Sequence, residues 1–296
     1  MKKLITICLM TLLFGTGYAM ADYWTTIDMP GATSTDLRGI DGSNIVGSYD
    51  DTSGTHGFLY NYKRETWTPL DFLPKDIDGS NIIGRIGGVD GHEILYNMTS
   101  RTFTILDSLE ALEVLDAWSM LAEGIDGDNI VGYYRSEVHG PDYYGFLYNG
   151  KTWTAFDAGT GGLAFVQDID GSNIVGYSVW GGRGCGFLYN WTNQTWTHFH
   201  FPVPENVPPD TYAIGISGSN IVGWSSSGNF LYNLTSQTWT TLPGLPGPPE
   251  GIDGRNIVGS YGDASGTHGF IYTIPEPATL LLFGLGGLAL LRKRRA

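Results

Sequence analysis

Short apolar runs alternate with glycine-rich polar turns along the chain, and one such unit returns six times. The unit opens on a phrase of the form Gly-Ile-Asp-Gly-Ser-Asn-Ile-Val-Gly, first found at residues 39–47. The Ile that opens each copy recurs about every 42 residues, at positions 40, 77, 125, 169, 216 and 252. Periods of roughly 40–50 residues are typical of propeller blades and similar arrays.

Each copy continues with two further phrases. The first repeat has Phe-Leu-Tyr-Asn at residues 58–61 and Thr-Trp-Thr at residues 66–68. These runs are β-branched and aromatic and are bounded by Gly, Asn and Asp, a composition that favours strands. Together with the short segment that ends in Ile-Asp, they predict four antiparallel strands in each repeat.

The last repeat is incomplete, because the chain reaches Tyr272 and Thr273 without a Thr-Trp-Thr strand. A matching strand stands at the other end, at residues 24–28. An N-terminal strand that completes the last repeat would close the ring and remove an exposed sheet edge. The sequence therefore predicts an all-β fold, a six-bladed β-propeller closed by the N-terminal strand. The alternative is an open stack of meanders, in which residues 24–28 have no partner.

One connector, residues 107–123, is longer than the others. Apolar residues at 109, 112, 115 and 118 predict a short helix on one face of the ring, with Asp107 or Ser108 as its cap. Whether the insertion has a role of its own is left open.

The N-terminal segment predicts a secretory signal peptide over residues 1–21. A positive start precedes an apolar run at residues 4–14, and Ala19 and Ala21 form the cleavage pattern for signal peptidase. An uncleaved anchor helix is the alternative. Cleavage leaves Cys185 as the single cysteine, and we expect it to be an inert thiol.

The C-terminal segment, residues 275–296, has three parts in order. Pro275, Glu276 and Pro277 precede an apolar stretch at residues 278–291, which predicts a short transmembrane helix. A basic cluster then closes the chain, at Arg292, Lys293, Arg294 and Arg295.

This order resembles the PEP-CTERM sorting signal of Gram-negative bacteria. The resemblance implies recognition by an exosortase-type transpeptidase in the inner membrane, where the protein would reside transiently. It also implies transfer to the cell surface or the extracellular matrix, often alongside exopolysaccharide production. An ordinary tail anchor that stays in place is the alternative.

Between the two ends, residues 22–274 form the predicted propeller. Its repeats resemble the HAF extracellular repeat family through the Gly-Ile…Ile-Val-Gly phrase, residues 56–60 and 268–272, and the connector at residues 27–33. The resemblance implies an extracellular setting. The segment carries 10 Lys and Arg against 29 Asp and Glu, a net charge of −19. This balance argues against nucleic acid and anionic membrane surfaces as partners.

The Asp of the repeated turn would form a circle of like groups in a closed ring. It recurs at positions 41, 78, 126, 170 and 253, with Ser217 in the remaining copy. A cation site or acidic channel mouth is one interpretation, and turn chemistry, with Asp accepting from backbone amides, is the other. Residues 76–87 depart from a calcium loop, because Gly is fourth rather than sixth and position twelve is Gly87. We therefore expect no cofactor, with calcium as the alternative.

His198 and His200 alternate along one predicted strand and could begin a metal site, but no third ligand has suitable spacing. A solvated pair is the simpler interpretation. No nucleophile elbow, phosphate loop or metalloprotease motif is present in the sequence. The sequence therefore gives no positive argument for an enzyme.

The repeated Trp of the Thr-Trp-Thr phrase has the periodicity that packing between neighbouring blades would produce. Less regular aromatics fall in or beside the variable stretches, where exposed rings could stack on sugars. These candidate glycan contacts are Tyr133, Tyr134, Tyr143, Tyr144, Trp180 and Trp224. The preferred function is a non-catalytic structural or binding propeller of the surface or matrix. The alternative is a secreted propeller enzyme that acts on glycans.

Overall fold

The computed structural model describes residues 24–87, 91–136, 143–157, 163–203 and 209–275. These residues form 24 strands and one helix, α1 (Leu109–Leu115), which lies between β9 and β10. The strands are β1 (Trp24–Ile27), β2 (Ser34–Asp41), β3 (Asn44–Asp51), β4 (Gly54–Asn61), β5 (Thr66–Leu70), β6 (Leu73–Asp78), β7 (Asn81–Ile86), β8 (His92–Asn97), β9 (Thr102–Ile105), β10 (Ala117–Asp126), β11 (Asn129–Ser136), β12 (Tyr143–Tyr148), β13 (Trp153–Phe156), β14 (Leu163–Asp170), β15 (Asn173–Trp180), β16 (Arg183–Asn190), β17 (Thr195–Phe199), β18 (Thr211–Ser217), β19 (Asn220–Ser225), β20 (Gly228–Asn233), β21 (Thr238–Thr241), β22 (Pro249–Asp253), β23 (Asn256–Asp263) and β24 (Gly266–Thr273).

The fold is an all-β propeller, but its blades are not the six separate ones that the repeats predicted. Four four-stranded sheets stand alone: β6–β9, β10–β13, β14–β17 and β18–β21. The remaining eight strands form one sheet, with β22, β23, β24 and β1 on one side and β2–β5 on the other. The predicted count of six blades is therefore wrong, because the first and last repeats share a sheet.

The difference in length between β1 and β24 explains this join. β24 has eight residues, and β1 has four and pairs only with Gly269–Tyr272. The rest of that edge is open to the next segment of chain. There Ser34 of β2 forms a parallel bridge to Thr267, which links the two halves of the sheet.

The N-terminal strand does close the ring, as the sequence predicted. β1 runs antiparallel to β24, with Thr26 opposite Phe270 and Trp24 opposite Tyr272. The carboxylate of Asp28 accepts a hydrogen bond from the ring of His268 at 2.9 Å, and this contact raises the pKa of His268. The open stack of meanders is excluded, because it would leave this strand unpaired.

The core lies between neighbouring repeats and is built from the same positions in each. A Phe from the third strand of five of the repeats is fully buried, at residues 58, 146, 187, 230 and 270. The repeated Trp stacks on the repeated Tyr across two strands of one repeat, as in Tyr60–Trp67 at 4.1 Å and Tyr189–Trp196 at 4.3 Å. The sequence predicted that these Trp rings pack between neighbouring repeats. Their shortest ring contacts instead lie inside one repeat, and contacts between repeats, such as Phe156–Trp196 at 6.1 Å, are longer.

Helix α1 confirms the predicted helix in the long connector. Ser108 is its N-cap and accepts a hydrogen bond from the amide of Ala111. The helix ends at Leu115, since Asp116 adopts a left-handed conformation and the chain then enters β10. The apolar position at Trp118 therefore belongs to a strand and not to the helix.

Two faces of the propeller are used below. The turn face carries the tight turns between the first two strands of each repeat, such as the β2–β3 turn. The mouth face lies opposite and carries the hairpins between the second and third strands, such as β15–β16. β24 begins at the mouth face and ends at the turn face, where the amide of Ile274 donates to the carbonyl of Arg255.

The predicted signal peptide and the apolar stretch at residues 278–291 lie outside the described residues. Within the part of the chain that is described, no helix is long and apolar enough to cross a membrane.

Candidate functional site

The repeated Asp of the turn face links neighbouring repeats into a closed ring. Each side chain accepts a hydrogen bond from the Gly amide in the turn of the next repeat, as in Asp41 to Gly79 at 2.9 Å and Asp253 to Gly42 at 2.8 Å. The remaining pairs are Asp78–Gly127, Asp126–Gly171, Asp170–Gly218 and Ser217–Gly254. This geometry matches the turn-chemistry interpretation, with the amides supplied by the neighbouring repeat.

A β-bulge in the first strand of every repeat shapes the central channel. The register of β2 and β3 shifts between Leu37 and Gly39, and the same shift recurs in the other five repeats. A bulge re-aims the extra side chain. The six bulged residues, here called the bulge ring, line the channel: Arg38, Lys75, Glu123, Gln167, Ile214 and Glu250.

The charges of the bulge ring are paired between neighbouring repeats. The Lys75 ammonium lies 2.9 Å from the Glu123 carboxylate, and Arg38 lies 3.2 Å from Glu250. Arg38 also contacts Asp36 at 2.5 Å. These pairs surround a cavity of about 210 Å³ at the mouth face. Because the charges are paired and the space is small, we interpret these ion pairs as contacts that hold neighbouring repeats together and not as a site for a charged ligand.

Deeper in the channel, Asp76 and Asp168 are two carboxyl groups that influence each other. Surrounding protein raises the pKa of both, and the charge of Asp76 adds to the effect on Asp168. Both oxygens of Asp168 accept from amides, of Ile169 and Ile216, each at 2.7 Å. Asp76 accepts in the same way from Ile125 at 3.0 Å. Each carboxyl group therefore joins two repeats by a hydrogen bond, and both groups line a cavity of about 100 Å³.

Space for Asp76 comes from a glycine in the preceding repeat. A Cβ on Gly39 would lie 2.5 Å from Oδ1 of Asp76, so the two positions cannot both carry side chains without a shift. The close approach between repeats therefore requires glycine at position 39, next to Asp76.

Glu93 is a third buried carboxyl group, on β8. Its side chain is 1% exposed, Oε1 accepts from Arg85 at 3.1 Å and Oε2 accepts from the amide of Ala122 at 3.1 Å. Burial raises the pKa of Glu93 to about 7. It ties the second repeat to the third.

The stability of the protein should fall as the pH rises from 5 to 8, because Glu93 keeps its proton in the folded state and loses it in the unfolded state. A shift from 4.5 to about 7 corresponds to a loss of about 3 kcal/mol at most. Glu93→Gln should reduce the slope without abolishing it, because the raised pKa values of Asp76 and Asp168 act in the same direction. Glu110→Gln on the exposed face of α1 is the control. Urea unfolding at several pH values measures this, and equal slopes for wild type and Glu93→Gln would contradict it.

On the mouth face, a chain of rings, linked at one end through the guanidinium of Arg135, crosses the third, fourth and fifth repeats. Its members, here called the aromatic arc, are Trp118, Tyr133, Tyr143, Phe165, Tyr177, Tyr212 and Trp224. Ring centroids are 5.3 Å apart for Tyr133–Phe165, 5.0 Å for Phe165–Tyr177 and 4.8 Å for Tyr177–Tyr212.

The two ends of the aromatic arc are held differently. Trp224 stacks on Tyr212 at 4.1 Å. At the other end the guanidinium of Arg135 lies 4.4 Å from the centroid of Tyr143 and 5.5 Å from that of Trp118. Trp118 is 55% exposed and Trp224 is 38% exposed, so each end presents a large ring to solvent.

The six predicted glycan contacts do not share one environment. Tyr133, Tyr143 and Trp224 belong to the aromatic arc. Tyr134 is buried, and the half-buried Tyr144 packs against the core beside it, so neither is an exposed ring. Trp180 is 71% exposed at the end of β15, on the same face.

Sequence reasoning missed four rings of the aromatic arc and the arginine among them. Phe165 and Tyr212 stand directly opposite Tyr177 and Trp224 on the neighbouring strand. The signal that could have found them is this cross-strand register, which requires the position of the bulge.

The remaining candidates are two histidines and one cysteine. His198 and His200 are both exposed, and the ring of His198 stacks on Trp196 at 5.8 Å. Burial raises the pKa of the Cys185 thiol, which lowers its reactive thiolate fraction. Among the residues that the structure describes, no group of three or more His, Cys, Asp and Glu side chains is placed to hold a metal ion.

The end of β24 leads directly into the C-terminal segment. Residues 273–295 match the PEP-CTERM protein-sorting motif. The chain carries a PEP-CTERM sorting signal. The motif indicates an exported protein that an exosortase sorts to the cell surface. No curated protein sequence matches the chain.

Solved structures share the propeller fold at low sequence identity. The β-propeller domain of the trilobed protease from Pyrococcus furiosus has a TM-score of 0.50 and 10% identity, over 81% of this chain and 94% of that one. An oligogalacturonate lyase from Vibrio parahaemolyticus has a TM-score of 0.46 and 9% identity, over 86% and 97%. TolB from Acinetobacter baumannii has a TM-score of 0.44 and 11% identity over 69% of this chain, which spans 52% of TolB.

Proposed function

We propose that the protein is a non-catalytic structural or binding propeller of the cell surface or extracellular matrix. In this proposal signal peptidase removes residues 1–21. An exosortase-type transpeptidase then acts on the chain at the inner membrane, and the propeller becomes associated with exopolysaccharide. The PEP-CTERM motif carries the proposal, and the resemblance of the repeats to HAF extracellular repeats agrees with it.

The direction in which the chain leaves the propeller supports display of the mouth face away from the sorting segment. The motif begins at Thr273, the last residue of β24, so little chain separates the propeller from its sorting segment. Because β24 ends at the turn face, that face is the one next to the tether. The mouth face, with the aromatic arc, is on the far side and is presented outward.

The chemistry of the channel supports binding rather than catalysis. The amide hydrogen bonds of Asp76 and Asp168 make these carboxyl groups part of the scaffold. The cavity that contains them, about 100 Å³, is smaller than the ~300–1,000 Å³ of ordinary ligand sites. A propeller enzyme acting on glycans would need carboxyl groups that a sugar can reach, so this alternative is not favoured. The proposal requires neither calcium nor another cofactor.

Mass spectrometry of the mature protein from its own host tests the proposed cleavage at both ends of the chain. The wild-type chain is expected to begin at Asp22 and to lack the apolar stretch at residues 278–291. A variant with Pro275→Ala, Glu276→Ala and Pro277→Ala should keep that stretch, because its sorting motif is altered. Recovery of the wild-type protein with its tail intact would overturn the proposal.

A further inference from the structure

The aromatic arc occupies a position that the fold itself does not require to be aromatic. The residue that follows the repeated glycine in the second strand is Tyr133, Tyr177 or Trp224 in three consecutive repeats. In the other three repeats the same position holds Ser48, Arg85 or Ser260. At this position the ring of repeats is therefore aromatic over one half and polar or charged over the other half.

The polar half shows what suffices for packing at this position. Ser260 donates a hydrogen bond to Asp36 at 2.5 Å and accepts one from the amide of Leu37 at 3.0 Å. Arg85 pairs with Glu93 at 3.1 Å. Since a small polar side chain joins two repeats at Ser260 and a charged side chain pairs within its own repeat at Arg85, the run of rings on the other half needs a reason outside packing.

Edge-to-face and cation–π contacts hold the rings in fixed orientations while the Trp rings at each end stay exposed. A row of fixed, half-buried rings with an exposed Trp at each end suits a ligand that repeats along its length. Pyranose sugars with equatorial hydroxyl groups present flat C–H faces that stack on such rings. The net charge of −19 over residues 22–274 repels polyanions and so excludes polyuronates from the favoured class.

We propose that the aromatic arc is a binding site for one extended, uncharged polysaccharide chain of equatorially substituted sugars, lying across the third, fourth and fifth repeats. This inference rests on the proposed surface display. The outward orientation of the mouth face allows such a chain to lie along it while the turn face stays next to the tether.

Affinity electrophoresis of the mature protein in gels that contain hydroxyethyl cellulose tests the site, with alginate as the charged comparison. The wild-type protein should be retarded by hydroxyethyl cellulose and not by alginate. A variant with Trp118→Ala and Trp224→Ala should lose about tenfold in affinity or more, since exposed aromatic anchors dominate such interfaces. Trp191→Ala, at the turn face, is the matched control and should bind as wild type does.

The results of this assay distinguish a polysaccharide from other possible ligands of the mouth face. No retardation by hydroxyethyl cellulose, equal retardation of the double variant, or stronger binding to alginate would each overturn the inference. A concentration-dependent dimer that the double variant loses would assign the face to a second copy of the chain instead. Because this assay measures binding in solution, its failure leaves the mass-spectrometric test of sorting unaffected.

Discussion

Replacing Gly223 with Ala is expected to destabilise the protein by more than about 3 kcal/mol. A Cβ at this position would lie 2.0 Å from the carbonyl oxygen of Tyr212 and 2.7 Å from the ring of Phe230. The first of these atoms is backbone of the paired strand, and the second belongs to a fully buried ring. Neither can move aside without disturbing the hydrogen bonds of β18 and β19 or the core. Thermal and urea unfolding measure the loss.

Gly262→Ala is the control for this substitution. Gly262 also lies in the second strand of a repeat, but the nearest atom to a Cβ there is 4.0 Å away. Its effect should stay within about 0.5 kcal/mol. If the two variants were equally stable, the close approach of strands at Gly223 would not explain why glycine is repeated at this position.

Removing residues 22–27 from the mature protein is expected to have the second large effect, a loss of more than about 3 kcal/mol together with self-association. The deletion removes Ile27, which is buried, and the edge-to-face contact of Trp24 with Tyr261 at 5.4 Å. It also exposes the edge of β24 from Gly269 to Tyr272. Unfolding curves and sedimentation velocity provide the measurements.

A synthetic peptide that covers residues 22–33 gives this deletion its control. Added to the truncated protein, it should restore stability and suppress association, because it can pair with the same edge. A scrambled peptide of the same composition should do neither. A truncated protein as stable and monomeric as the wild type would refute closure by the N-terminal strand as a stabilising device.

The repeat pattern was sufficient to predict the strands and the pairing of the first strand with the last. Both depend on local composition and on a phrase missing from one end and present at the other. The count of separate blades could not be predicted in this way. It depends on the lengths of β1 and β24, and thus on whether Ser34 reaches Thr267.

Less of the candidate site was available from the sequence. Tyr133, Tyr143 and Trp224 stood out as irregular aromatics, but so did Tyr134, which the structure buries. Neighbouring residues on a strand point to opposite faces, so a one-residue difference in position separates core from surface. The bulge in the first strand shifts that alternation. The residue pattern of a single repeat does not predict the bulge.

The exit of the chain from β24 determines how the molecule bears tension. A pull on the C-terminus of a tethered protein acts along the axis of β24, which lies between β23 and β1. Eight residue pairs on one side and four on the other would then have to slide past each other together. Loading in shear resists force better than peeling pairs apart one by one. In the proposed display at the cell surface, the strand that closes the ring would therefore also resist force applied at the C-terminus.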